Sequence, residues 1–291
     1  MTSDTDGAER ALLTPSRVRE LLDAHGLRPN KALGQHYLVD PNTARKAVRL
    51  AQVTPGETVL EVGPGLGSLT LALREAGARV VAVEADARLL PALAEALGDD
   101  PEVRVVRADA VRADLAALAP EARRLVANLP YNIAATLVLR VLTEFPQYQH
   151  LAVMVQREVG ERLAAAPGTS AYGATSAKVA ALAEARVLAP VSRKVFLPEP
   201  HVDSVLVGLT RTGGHPATAG VPWATLDRVI EAAFSQRRKT LRNALRTLGL
   251  SPGEVEALGR TAGVDLGLRA ERLDVPAFAA LARSLAANTA F

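Results

Sequence analysis

The stretch Thr58-Val59-Leu60-Glu61-Val62-Gly63-Pro64-Gly65-Leu66-Gly67-Ser68 decides the fold. Thr58 to Val62 is short and rich in β-branched residues, so it reads as a strand, and Leu69 to Ala76 carries a helical pattern. A strand that runs through a glycine loop into a helix is the first unit of a nucleotide-binding α/β fold. Gly63 and Gly65 allow the backbone to pass close to a ligand. The spacing is G-x-G-x-G, not G-x-G-x-x-G, and the loop has no phosphate-binding lysine. Both features argue against a pyrophosphate site and hence against a nicotinamide-dependent dehydrogenase. Taken alone, the loop is also compatible with a tight glycine turn that holds no ligand.

Outward from this unit, the next strand, Arg79 to Val83, ends in Glu84, about twenty residues after the first glycine. There an acid meets the hydroxyls of a ribose. A third strand, Val103 to Val106, leads to Asp109, which is placed to accept from an adenine amine. A fourth, around Leu125-Val126-Ala127, ends at Asn128. In a parallel sheet, Gly63, Glu84, Asp109 and Asn128 therefore converge at one edge, where open α/β sheets bind ligands. Solvated loop residues or helix caps are the alternative reading of the two acids.

Asn128-Leu129-Pro130-Tyr131 suits capture of a planar, amine-bearing ring. An exocyclic amine is a poor nucleophile because its lone pair is delocalised into the ring. If the Asn128 side-chain oxygen and the Leu129 carbonyl each accept one amine hydrogen, the nitrogen is held with its lone pair outward. Pro130 stiffens the backbone and Tyr131 stacks on the ring. An ordinary strand-to-turn corner is the alternative.

Residues 1–12 read as a loose tail, and Thr14-Pro15 start a helix that stops near Gly26. Arg28 to Asp40 reads as a loop lying over a site, too polar and glycine-interrupted to be core. Pro41 opens a helix through Ala51. Further strands are expected at Leu151 to Val155 and Ser204 to Leu209, with helices near Gln156 to Leu163 and Ser176 to Ala185. Between them, Pro198 and Pro200 make an extended, rigid segment in which Phe196 is held in place, as a stacking surface or as a core plug.

The Gly/Pro/Thr-rich linker Thr210 to Pro222 divides the chain into an α/β domain, 1–212, and an all-α domain, 213–291. In the latter, Phe234 to Arg246 reads as a helix carrying Arg237, Arg238, Lys239, Arg242 and Arg246 with no acid. Five uncompensated cations on a short helix repel one another, which favours a phosphate-facing surface over a solvated face.

The totals are consistent with this plan. The 291 residues, 48% hydrophobic and 22% charged, are enough to bury a large core. With no cysteine there is no disulfide or thiolate, and five scattered histidines show no metal-ligand spacing, so no metal is expected. No run approaches the length of a membrane span, and the first residues lack the pattern of a secretory signal, so a cytoplasmic protein is expected. The net charge of +3 permits an anionic partner without demanding one.

The chain resembles the KsgA (RsmA) ribosomal RNA adenine dimethyltransferases. The similarity runs from Gly34-Gln35 through Glu61-Val62-Gly63-Pro64-Gly65-Leu66-Gly67 and Asn128-Leu129-Pro130-Tyr131 to Phe234-Ser235-Gln236-Arg237-Arg238-Lys239-Thr240-Leu241-Arg242-Asn243. The resemblance implies a Rossmann-like methyltransferase that uses S-adenosylmethionine to dimethylate two adjacent adenines near the 3′ end of 16S rRNA in the small ribosomal subunit. A monomer and a role in ribosome biogenesis are expected with it. It places cofactor contacts on His36, Leu38, Gly63, Gly65, Glu84, Asp109 and Asn128, the reacting base on Asn128, Leu129, Pro130, Tyr131 and Phe196, and rRNA on the basic segment. The family's usual Gly-Gln-Asn-Phe-Leu is altered here, with His36 and Tyr37 in place of Asn and Phe. A sulfonium methyl is already activated, so catalysis reduces to placing amine and methyl in line at roughly 3–3.5 Å, with the base out of its stack. An Erm-type methyltransferase, acting on one adenine of 23S rRNA and conferring antibiotic resistance, shares the core and is the alternative. The basic segment favours the KsgA reading.

Overall fold

The computed structural model describes residues 11–29, 34–236 and 238–288. Most of the tail, the loop residues 30–33 and Arg237 lie outside them. Among the described residues, nine strands follow in chain order: β1 (Tyr37–Leu38), β2 (Thr58–Val62), β3 (Arg79–Glu84), β4 (Val103–Arg107), β5 (Arg124–Asn128), β6 (His150–Gln156), β7 (Ala183–Val191), β8 (Phe196–Leu197) and β9 (Ser204–Arg211). Seven of them form one sheet in the order β4-β3-β2-β5-β6-β9-β7, whose first five strands are parallel. The registers Val62↔Val83, Glu84↔Arg107 and Asn128↔Met154 bring the carboxyl ends of β2 to β6 into line. β1 and β8 form a separate antiparallel pair, with Leu38 opposite Phe196.

Local chemistry sets the helix starts. Thr14 accepts from the Arg17 amide ahead of Pro15–Ala24, and Asp40 accepts from the Thr43 amide at 2.8 Å ahead of Pro41–Leu50. In both, proline at the first turn fits a position whose N–H has no helical partner. The helix Arg157–Leu163 lies close to the sheet because Gly160 has no side chain. A Cβ there would stand 2.2 Å from a Val205 methyl.

By internal contacts the chain divides into residues 1–160 with 187–208, and residues 161–186 with 209–291. This corrects the single cut at 212, because the chain passes between units more than once and 161–186 belongs with the C-terminal residues. One core of the first unit draws on Val59, Leu73, Val80, Leu93 and Val126 among others. Each such side chain contributes about 1.5–3 kcal/mol on burial. The second centres on Phe278, Leu281, Leu226 and Val255. Here Phe234 packs against Tyr172 and Phe278, both at 5.9 Å, and the Tyr172 hydroxyl donates to the Leu273 carbonyl.

Three further expectations need correction. Leu12 is buried in the core, so the last residue of what reads as tail is packed. Tyr37, Leu38 and Val39 are also buried, so the polar loop contributes to the core through its apolar end. The helix expected to run to Ala185 ends at Leu182, and Ala183–Val191 is a strand. Its Ala, Glu and Arg are helix formers, and Pro190 argues against a central strand. β7 is an edge strand, where proline loses no ladder bond.

Candidate active site

A cavity of about 400 Å³ opens at the carboxyl ends of the parallel strands. Gly63, Gly65, Glu84, Asp109, Asn128, Leu129, Pro130 and Tyr131 line it, as do His36 and Leu38 from the segment that precedes the sheet. Every cofactor residue expected from the sequence therefore meets in one place.

The glycine loop forms one wall. Gly65 adopts φ +60°, a conformation that favours glycine, and a Cβ there would stand in tight contact, 3.1 Å, with the Tyr37 ring. Its N–H donates to Glu84 Oε2 at 3.1 Å, while the Asp86 N–H donates to Glu84 Oε1 at 2.8 Å. Burial pushes the Glu84 carboxyl up from its ordinary value, against the pull of these amides. Arg88 holds Asp86 down at about 2, helped by Gln35, whose amide donates to Asp86 Oδ2 at 2.9 Å. Gln35 in turn accepts from the Tyr37 hydroxyl at 3.0 Å. Burial, reinforced by the Glu84 and Asp86 charges, raises the Tyr37 hydroxyl. The Ser68 hydroxyl donates to the Leu38 carbonyl at 2.5 Å and ties the helix after the glycine loop to β1.

The tetrad lines the cavity beside the glycine loop. The Asn128 Nδ2 donates to the His36 carbonyl at 3.0 Å, which leaves Oδ1 as the acceptor end of that amide. The Leu129 N–H donates to the Met154 carbonyl at 3.0 Å, fixing the backbone that carries its own carbonyl. The Tyr131 hydroxyl lies 3.2 Å from Ser204 Oγ, and burial raises it. The His36 ring stacks on Tyr131 with centroids 5.3 Å apart and planes at 27°.

Asp109 is half exposed at the rim. Its Oδ1 accepts from the Val111 amide at 2.9 Å, and Arg112 lies 3.6 Å from its other oxygen. It thus also serves the turn that the alternative reading described. Phe196 departs from the expected stacking role. It is 3% exposed, packs in the core of its unit opposite Leu38, and does not line the cavity. The extended segment around it puts the ring on the buried side of the short β1–β8 ribbon.

Sequence reasoning passed over Glu61, Gln35 and Asp86. Glu61 lines the cavity, is 1% exposed and accepts from the Thr70 hydroxyl at 2.7 Å, and burial pushes its carboxyl up to about 8. A single acid within an apolar strand that enters a glycine loop was the available signal. For Asp86 the signal was a second acid two residues after Glu84.

The basic segment is not one helix. Trp223–Phe234 ends at Ser235, and a new short helix, Leu241–Ala244, continues as a 3₁₀ turn over Leu245–Leu248. The Leu241 and Arg242 amides donate to Leu268 and Leu266 carbonyls, which removes them from any continuous helical ladder. Arg238, Lys239 and Arg246 are exposed, and among the described residues their side chains form no ion pair. Arg242 differs: its Nε lies 2.5 Å from Glu256, so it is not uncompensated. Arg237, expected to belong to this surface, lies outside the described residues.

Among the described residues no cluster of His, Asp or Glu is able to hold a metal ion, and no helix is long and apolar enough to cross a membrane. The cavity fits S-adenosylmethionine: its volume is in the range of small-molecule sites, its walls are largely apolar, and a buried carboxylate and glycine backbone face it. A mostly parallel seven-stranded sheet with this cavity at its carboxyl edge defines a Rossmann-like, S-adenosylmethionine-dependent methyltransferase. The family described as Ribosomal RNA adenine dimethylase matches residues 26–287, and the chain belongs to that family. It is 48% identical over 286 residues to a Ribosomal RNA small subunit methyltransferase A of Thermobifida fusca (strain YX), with 96% of this chain and 98% of the relative covered. It is 39% identical over 286 residues to the protein so named from Geobacillus kaustophilus (strain HTA426), with 94% and 97% covered. A solved dimethyladenosine transferase from Plasmodium falciparum shares the fold at TM-score 0.72 and 24% identity, over 84% of this chain and 96% of that one. The 23S rRNA methyltransferase ErmE matches at TM-score 0.63 and 26% identity, over 86% and 99%.

Proposed function

We propose that this chain dimethylates the exocyclic amines of two adjacent adenines near the 3′ end of small-subunit 16S rRNA, using S-adenosylmethionine. The observation that carries the reading is that one cavity holds both the glycine loop with Glu84 and the Asn128–Tyr131 tetrad. Cofactor and base thus meet without any large motion of the sheet.

S-adenosylmethionine supplies a methyl on a sulfonium, an electrophile that needs no further activation. Glu84, already an acceptor for two amides, takes ribose hydroxyls, and the glycine backbone lets the ligand lie against the loop. Asn128 Oδ1 and the Leu129 carbonyl accept the two amine hydrogens and keep the nitrogen lone pair outward. Tyr131, anchored at its hydroxyl by Ser204, stacks on the base. Most of the effect is positional, so it appears in turnover more than in affinity.

Arg238, Lys239 and Arg246 take rRNA phosphates, with Arg237 assigned to the same surface from the sequence. Arg242 contributes less while Glu256 holds it. The same reading makes the enzyme a cytoplasmic monomer with a part in ribosome biogenesis, and light scattering of the free protein checks the monomer. The small-subunit relatives favour 16S over 23S rRNA as substrate. The test offers unmethylated small-subunit particles, naked 16S rRNA and naked 23S rRNA with labelled cofactor, and maps the product by mass spectrometry. Two dimethylated adjacent adenines on the particle are expected. One methylated adenine on naked 23S rRNA, with none on the particle, would replace this reading with the Erm type.

A further inference from the structure

His36 touches both halves of the tetrad and is itself held from a third side. Its carbonyl accepts the Asn128 Nδ2 at 3.0 Å, and its ring stacks on Tyr131 at 5.3 Å and 27°. Its Nδ1 lies 2.7 Å from the Pro198 carbonyl. A carbonyl only accepts, so Nδ1 carries the proton in that contact. The imidazole is thereby locked in orientation by a backbone group of the segment that follows β8.

We propose that His36 is a positioning residue for the target base, acting through Tyr131. The inference rests on the adenine-methylating reading of the cavity. Tyr131 is fixed at its hydroxyl end by Ser204 and on one face by the imidazole, so the base takes the opposite face. A ring that cannot tilt presents one plane, and the amine reaches Asn128 in one pose. The same residue's backbone sets the Asn128 amide, so stacking plane and hydrogen-bond acceptor share a single support. Replacing the side chain removes the support under Tyr131 and leaves the carbonyl bond to Asn128 in place.

Three variants separate ring from hydrogen bond. His36→Ala removes both, His36→Phe keeps a ring without the Pro198 bond, and His36→Asn keeps a donor without a ring. Each full-length protein is assayed on unmethylated small-subunit particles in single turnover, and its S-adenosylmethionine affinity is measured by titration calorimetry. Rates are compared at saturating S-adenosylmethionine, so that any change in cofactor affinity is separated from the effect on the base. The methylation rate falls roughly three- to tenfold in the Ala and Asn variants, as expected for loss of one aromatic pair, and is largely recovered in Phe. Isotope-edited NMR of the histidine ring gives a readout independent of activity: the His36 ring protons carry an aromatic shift that Tyr131→Ala abolishes.

At saturating cofactor, a Phe variant no better than Ala would overturn the proposal. A faster Ala variant would also overturn it, because the imidazole would then occupy the place of the base. A wild-type protein that transfers no methyl to the particle refutes the functional reading instead. The NMR shift then decides whether His36 supports Tyr131.

Discussion

The strand-end cavity and the basic segment are both rich in polar or charged groups, yet they differ in how those groups are held. In the cavity nearly every polar group already has a partner within the protein: Glu84 has two amides, Asp86 has Gln35 and Arg88, and Asn128 has His36. In the basic segment Arg238, Lys239 and Arg246 stand exposed, and among its described residues Arg242 is paired, with Glu256. Preorganised groups in a partly dry site impose one geometry, which a methyl transfer requires. Exposed cations on a surface accept many phosphate positions at a strength that salt controls. Substitutions in the first region should therefore cost structure or turnover, and those in the second only salt-dependent affinity.

The largest expected effect tests the boundary of the cavity. Phe196→Ala should lower stability by about 3–5 kcal/mol, because a fully buried ring leaves a void. Thermal unfolding checks this, and an unchanged melting temperature with lost activity would return Phe196 to the base-stacking role. Asn128→Ala should slow single-turnover methylation by roughly 10²–10³-fold while RNA binding persists, since a preorganised acceptor is lost at the reacting amine. A rate near wild type would remove Asn128 from the chemistry.

Glu84→Ala should weaken S-adenosylmethionine binding by about 1.5–3 kcal/mol. It also strands the Gly65 and Asp86 amides, so calorimetry and denaturation should both move. A change in neither would separate the acid from loop and ligand alike.

Glu61 adds a pH test. Folded, it keeps its proton up to about 8, whereas an exposed glutamate loses it near 4.5. Across that window the native state binds more protons than the unfolded one. This contribution is therefore full below about 4.5 and is lost as pH rises toward 8, at no more than about 1.4 kcal/mol per pH unit. Urea unfolding from pH 6 upward should show the decline in the wild type and a flatter profile in Glu61→Gln.

The smallest effect per residue belongs to the basic segment. Changing Arg238, Lys239 and Arg246 to Gln should reduce the log–log salt slope of particle binding by about 0.7–0.9 per phosphate contact and leave cofactor affinity untouched. Arg242→Gln should change the slope less, because its cation is already neutralised by Glu256. Equal slopes for all four would show that the ion pair opens on binding.

Much of the cavity was legible from the order of residues alone. A parallel sheet lines up its carboxyl ends, so glycine loop, Glu84, Asp109 and Asn128 had to share an edge once four strands were recognised, and their spacing and β-branched runs are local signals. What tertiary structure decided was exposure, pairing and continuity. Phe196 is core because β8 pairs with β1 across more than 150 residues of chain, and no local pattern encodes that pairing. Ala183–Val191 is a strand despite helix-forming residues, because the open edge beside β9 outweighs propensity. The basic run breaks where Leu241 and Arg242 find carbonyls at Leu268 and Leu266, and Arg242 meets its acid only when Glu256 is folded beside it. Periodicity is set by neighbours a few residues away, so the chain itself announces it, whereas burial and charge neutralisation depend on partners that only the completed fold brings within reach.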